Sequence, residues 1–205
     1  MKDKLIIIGA GGHGKVVSDV ARKMNTYKEI YFLDDFVVGN VVGVQVIGKP
    51  SDYTKWIAEA DYFVAIGDSD IRESFILDLE KEGATLATLV HPNAVIGTNV
   101  TIGNGTVIMA GAVVNPDTRL GKGVIVNTSS SIDHDNIIED FCHISVGSHL
   151  AGTVIIGKHT MIGAGATIIN NIKICENAVI NAGVVVTKNI DKQGTYTRVI
   201  TERIG

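Results

Sequence analysis

The chain has 205 residues, with 18 basic against 22 acidic side chains and a formal net charge of −4. That balance, without a basic cluster anywhere along the chain, argues against nucleic acid and anionic membrane as partners, and the length allows one large domain or two small ones with a real core. No window approaches the roughly 20 apolar residues of a membrane span.

The N-terminal "MKDKLIIIGAGG" passes from a short apolar run straight into glycine, too short for a signal-peptide core. Cys142 and Cys175 are the only cysteines, too few for a disulfide framework and without metal-ligand spacing. These features lead us to expect a cytoplasmic protein of a reducing compartment, with no bound metal.

From residue 3 to about 88, β-rich runs alternate with helical ones. "KLIIIG" reads as a buried strand and "GKVVSDVARKM" as a helix with Val16, Val17, Val20 and Ala21 on one face. "EIYFLDD" and "DYFVAIG" read as further strands. "DIRESFILDLEKEG" reads as a second helix, with Asp70 a candidate N-cap and Gly83 its stop. Such alternation implies a parallel sheet with βαβ crossovers.

From Ala94 the pattern changes to a period of six. Stepping by six from Ile96 through Ile132 and Ile162 to Val186 meets only Ile, Val or Leu. Four places after each anchor stands a mostly small or β-branched residue, such as Ala112, Ser130, Cys142 or Ala178. The third place is Gly, Asn or Asp in eleven of fifteen repeats, types that tolerate positive φ, so it is a corner. A six-residue period with one corner per repeat marks a hexapeptide β-helix.

Taken with "GAGGHGK", "FLDDF", "AIGDSDIR", "NTSSSIDHDN", "HISVGSHLAG" and "VVTKNI", the chain resembles the sugar O-/N-acyltransferases, which include sialic-acid O-acetyltransferases. The resemblance spans nearly the whole sequence and is strongest toward the N-acetyltransferases of UDP-4-amino-sugars in bacillosamine synthesis. It implies a small Rossmann-like α/β domain over residues 1–88 and a left-handed parallel β-helix over 89–190, with a C-terminal tail over 191–205. It also implies a homotrimer with acetyl-CoA as co-substrate lying between neighbouring solenoids.

Gly9, Gly11 and Gly14 fit G-x-G-x-x-G between a strand and a helix, where backbone N–H groups can hold phosphate. Asp34 and Asp35 end the second strand, about where a ribose-binding acid sits in a dinucleotide fold. An NAD-dependent oxidoreductase is disfavoured, because only about 85 residues precede the solenoid and no second nucleotide-binding half follows. By resemblance, Gly9, Gly11, Gly12 and His13 face a UDP-linked amino-sugar, joined by Asp34, Asp35, Gly67 and Arg72. Without that resemblance, His13 reads equally well as a solvated loop residue.

His134 stands between two carboxylates in "SIDHDN", one place before a corner. With 18 residues per coil it stacks on Gly152, about 4.8 Å away, and projects from the prism edge. A neutral imidazole there suits proton abstraction from an amine attacking a thioester. Asp135, by resemblance a better partner than Asp133, would fix the ring tautomer. The N–H of Gly152 is a candidate to hold the thioester oxygen, and Asn127 to position the sugar. Cys142 falls on an inward position and Cys175 is distant from His134, so no acyl-enzyme is expected.

His143 occupies an outward strand position stacked with Val107, Ile125, Met161 and Val179, an apolar stripe that reads as exposed and hence as a partner surface. By resemblance it lies in the coenzyme groove, with Gly152, Ala164 and Ala182 along the coenzyme path. His91, His149 and His159 read as ordinary surface or packing residues. The family's usual Gly-x-Pro-Ala close is missing, since no proline follows Pro116, and Asn181 and Val184 stand where small residues are usual. The rival readings are O-acetylation of a sialic acid or other sugar, and a non-catalytic nucleotide-sugar-binding module.

Overall fold

The structure, a computed structural model, describes residues 2–197. Its first half is a six-stranded sheet ordered β3-β4-β2-β1-β5-β6, with β1 (Lys4–Ile8), β2 (Glu29–Leu33), β3 (Asn40–Val41), β4 (Val44–Gly48), β5 (Ala60–Val64) and β6 (Thr85–Leu86). All pairings are parallel except β3 with β4. Leu5 to Ile8 are fully buried because both sheet faces are covered, which is why β1 reads as a continuous apolar run. Leu5 and Ile7 pack under α1 (Gly12–Met24). Ile6 and Ile8 pack on the opposite side with Ile76 and Leu79 of α2 (Ser69–Lys81).

Helix α1 buries Gly14, Val17, Ser18 and Ala21, spaced three and four apart, together with Val20. Val16, expected on the same face, is instead 46% exposed. Asp68, not Asp70, caps α2, its Oδ1 accepting from the N–H of Asp70 at 3.1 Å and of Ile71 at 3.0 Å. Gly83 follows the end of α2 at φ +76°. The β3–β4 hairpin escapes sequence reading because its turn is Val42-Gly43, both at positive φ. The primed turn this makes is ordinarily advertised by Asn-Gly, and Val in the first place hides it.

The second half is a parallel β-helix of three faces. Its first face begins at Leu89–Val90 and climbs through Val107–Ile108, Ile125–Val126, His143–Ile144 and Met161–Ile162 to Ala178–Ile180. The second face holds Val95–Ile96, Val113–Val114, Ser131–Ile132, His149–Leu150, Thr167–Ile168 and Val185–Val186. The third runs from Thr101–Ile102 to Lys173–Ile174. Gly194–Tyr196, in the expected tail, adds to Ala178–Ile180 as a further strand of the first face. Residues 198–205 of that tail lie outside the described residues.

In each two-residue strand the second side chain points inward. From Ile108 to Ile180 these anchors are at most 4% exposed, each worth roughly 1.5–3 kcal/mol of apolar transfer. All fifteen corner positions from Asn99 to Gly183 adopt positive φ, including the four that are not Gly, Asn or Asp: Ser129, Phe141, Thr153 and His159.

The first domain lies against the first face, where Val17 and Val20 of α1 share a core with Leu89, Val107, Met109 and Ile125. This overturns the expected exposed stripe at its lower end. Val107 is 0% and Ile125 1% exposed, whereas Met161 remains 39% exposed. A parallel solenoid face is apolar because something covers it, and here the cover is the chain's own N-terminal domain.

Candidate active site

The sheet order reverses at β1, because the chain builds outward through β2 and β4 and then returns to place β5 on the other side of β1. The loops after β1 and β5 therefore flank the crevice where open α/β sheets bind ligands. Gly9, at φ +101°, leaves no room for a side chain, since a Cβ would meet Ala65 O at 2.9 Å. Gly14 lies so tightly over Gly9 O that a Cβ would fall 2.0 Å from it. Gly11, Gly12 and Gly67 face open space. Gly11 caps α1 with no side-chain bond and no acidic residue in the first turn, so the helix N-terminus is free to meet an anion.

Asp34 braces this loop. Its Oδ2 accepts from Ala10 N–H at 2.7 Å and its Oδ1 from Phe36 and Val37 N–H at 2.9 Å. Partial burial opposes ionisation, but the three N–H donors outweigh it and hold the carboxyl below its ordinary range. Asp35 is exposed. A pocket beside the loop is lined by Ala10, Gly11, Lys15, Val37, Val41 and Val42. Lys15, the last residue of "GAGGHGK", brings a cation to that pocket.

Arg72 does not face this crevice as a ligand group. It is 0% exposed, and its guanidinium donates to the carbonyls of Ile66 (2.9 Å), Gly67 (2.9 Å), Gly123 (2.8 Å) and Phe141 (2.5 Å). Burial lowers its pKa to about 10, which leaves it charged at neutral pH.

His13 is no solvated loop residue either. It lies in the first turn of α1 with Nε2 buried and unpartnered. Its pKa falls to about 4, through burial first and then the charge of Arg72. His143, half-buried on the first face, has Nε2 3.1 Å from Asn127 Nδ2. Burial, Arg72 and His13, in that order, lower it to about 4 as well. His13, Asn127 and His143 thus gather at the seam between the domains, with both imidazoles neutral at physiological pH.

His134 stands elsewhere, on the edge between the second and third faces. The coil under it is fixed by Asp133, whose Oδ1 accepts from Asn115 Nδ2 (3.0 Å) and from the N–H of His134 itself (2.9 Å). Buried Asn136 donates to Asp133 O (2.6 Å) and Ala151 O (3.0 Å) and accepts from Val154 N–H (3.0 Å). The ring is over half exposed, and its Nδ1 lies 2.7 Å from Asp135 Oδ2. A carboxylate only accepts, so in the neutral ring Nδ1 carries the proton and Nε2 presents a lone pair to solvent. The bond to Asp135, the largest influence, holds the ring's pKa above its ordinary value.

Gly152 makes room for this ring, since a Cβ there would lie 2.6 Å from His134 Cε1 and 2.7 Å from Nε2. Ala164 and Ala182 are exposed on a different edge, between the first and second faces. One chain therefore does not bring the expected coenzyme residues together. Cys142 donates to Gly157 O at 3.1 Å, and burial pushes its thiol up to about 12, which makes it inert as a nucleophile. His159, read as ordinary, places its ring nitrogens 3.1 Å from Asp70 and 3.2 Å from Glu73 of α2. Among the described residues no cluster of three metal-ligating side chains forms.

A three-faced hexapeptide prism with a nucleotide-type α/β unit, and with an imidazole on its edge, defines the hexapeptide-repeat class of acyltransferases. Comparison with known proteins supports that assignment. Residues 4–79 match the model of the PglD N-terminal domain, and residues 153–188 that of the hexapeptide repeat of succinyl-transferase. The acetyltransferase domain of PglB from Neisseria gonorrhoeae FA1090, also solved with acetyl coenzyme A, is 39% identical, with a TM-score of 0.93 over 95% of this chain and 96% of that one. PerB from Caulobacter crescentus, solved with CoA and GDP-perosamine, is 33% identical, with a TM-score of 0.84 over 91% of this chain and 90% of that one.

UDP-N-acetylbacillosamine N-acetyltransferase of Bacillus subtilis (strain 168) is 32% identical over 108 residues, 51% of this chain and about half the relative's length (50%). The chain belongs to the sugar acyltransferases that join a PglD-type N-terminal domain to a left-handed hexapeptide β-helix.

Proposed function

We propose that the chain is an acetyl-CoA-dependent N-acetyltransferase that acetylates the 4-amino group of a UDP-linked 4-amino-4,6-dideoxy-sugar. The observation that carries this reading is the edge dyad of His134 and Asp135, with the ring over half exposed and Gly152 giving it room on the prism edge. The neutral amine attacks the thioester carbonyl and Nε2 takes the proton that the nitrogen sheds. Asp135 steadies the imidazolium, which returns the proton to the departing thiolate as the tetrahedral intermediate collapses. The N–H of Gly152 is the group assigned to the developing oxyanion. The relatives solved or named with amino-sugar substrates support the acceptor class, and the crevice of Gly9, Gly11, Gly12 and Gly67 supports a nucleotide carrier.

We further infer a homotrimer whose sites lie between subunits. His134 with Gly152 flanks one border of the second face, and Asn127 with Ala164 and Ala182 flanks the other. The outward residues of that face, Val95, Val113, Ser131, His149, Thr167 and Val185, include no Lys, Arg, Asp or Glu, whereas the third face carries Arg119 and Lys173. Packing copies through the uncharged face would set the His134 edge of one against the Asn127 edge of the next.

The test is to incubate the chain with acetyl-CoA and a UDP-4-amino-4,6-dideoxy-sugar, following free thiol and product mass. Turnover requiring both substrates, with a loss of about 10² to 10⁴ in His134→Ala, is expected. Tight UDP-sugar binding without thiol release would overturn the reading in favour of a binding module.

A further inference from the structure

Arg72 is a fully buried cation without a carboxylate partner, satisfied instead by carbonyls from two separate segments. One set is Ile66, Gly67 and Asp68 (2.9, 2.9 and 3.4 Å) in the crevice loop after β5. The other is Gly123 (2.8 Å) and Phe141 (2.5 Å), stacked corners of the solenoid. A planar guanidinium fork holds both sets only at one spacing.

The solenoid is adapted to receive it. Phe141 takes a left-handed corner, at φ +59°, where most repeats place Gly, Asn or Asp. Its ring joins the core of Ile76 and Leu79 and lies 5.4 Å from that of His159, which in turn meets Asp70 and Glu73. Phe141 also leads through Cys142 directly into His143.

We propose that Arg72 is a positioning residue for the acyl transfer: it grips the nucleotide crevice loop and the coil that carries His143, and so sets where a bound nucleotide sugar stands relative to the acyl donor. The proposal rests on the acetyltransferase reading and adds a residue that acts without touching either substrate.

The test compares Arg72→Lys with the wild type and with the double variant Asp70→Asn/Glu73→Gln, which loosens α2 on His159 and leaves the Arg72 grip intact. Melting temperature, UDP affinity by calorimetry, and kcat and KM with acetyl-CoA and the UDP-amino-sugar are measured on each. A lysine ammonium is a single point and does not span both carbonyl sets. Folded Arg72→Lys is expected to bind UDP within about threefold of wild type yet lose about 10²-fold in kcat, the cost of a misplacement near 1 Å. The double variant is expected to keep its kcat.

A folded Arg72→Lys with wild-type kcat would overturn the proposal. So would an equal kcat loss in the double variant, or failure of Arg72→Lys to fold, because either makes the residue a structural clamp alone. Wild-type protein that binds UDP-sugar without turnover would instead sink the underlying acetyltransferase reading, and this proposal with it.

Discussion

At the scale of single residues, the proposed base is a pair, His134 with Asp135. Asp135 occupies its corner at φ +58°, which an Asp accepts readily, and that backbone turn swings its carboxylate back onto the ring of the preceding residue. The pairing raises the pKa of His134, so the active neutral form is reached only as pH rises through that raised value. Asp135→Asn removes the charge that favours imidazolium. The rising limb of kcat/KM against pH is expected to move to lower pH, while the plateau falls because the amide no longer imposes one tautomer. An unmoved limb would show that the titration belongs to another group. Sequence spacing sufficed to place His134 on an edge, because counting in eighteens sets it over a glycine. It did not suffice for Arg72 and His13, whose surroundings depend on how two domains meet, and no periodicity within either domain encodes that.

At the scale of elements, the solenoid shows how much backbone strain a repeat absorbs. Thr153 holds φ +63° although it is β-branched, and it lies beside Gly152 in the same corner column as Asp135 and Asn171. Left-handed geometry costs a β-carbon roughly 1–2 kcal/mol, less for Asn. Thr153→Asn is therefore expected to raise stability by about 1 kcal/mol, visible as a higher denaturant midpoint at unchanged slope. An unchanged or lower midpoint would mean that the threonine makes a compensating contact.

The hexad repeat made the faces and corners readable in advance because each position has one geometric duty. The β3–β4 hairpin and the 3-10 helix Pro50–Trp56 went unread, since Val42 disguises the turn and a short irregular helix has no period to detect. The exposed stripe was misread for a related reason. Periodicity distinguishes inward from outward, but an outward residue at Val107 is buried all the same when α1 lies over it.

At the scale of the whole molecule, the interdomain seam and the separated edges each make a measurable demand. His13 and His143 are neutral in the folded chain down to about pH 4, whereas unfolded imidazoles bind protons below about 6.5. Folding stability is therefore expected to be unaffected by these two groups above that pH and to decline as pH falls from about 6.5 towards 4. Thermal melts across that range check it, and a flat profile would refute the buried neutral pair.

The edges make the sharper demand. With His134 at one border of the second face and Asn127 and His143 reached from the other, a site shared between copies needs His134 from one chain and His143 from its neighbour. Chains of His134→Ala and His143→Ala should each be inactive alone. In a cyclic trimer, any mixture of the two contains one junction where intact His134 faces intact His143. Three-quarters of randomly mixed trimers are heterogeneous, each with one working site of three, so co-refolded equal amounts should recover about a quarter of wild-type activity. A site completed within one chain gives no recovery at any mixing ratio, because every chain lacks one of the two imidazoles.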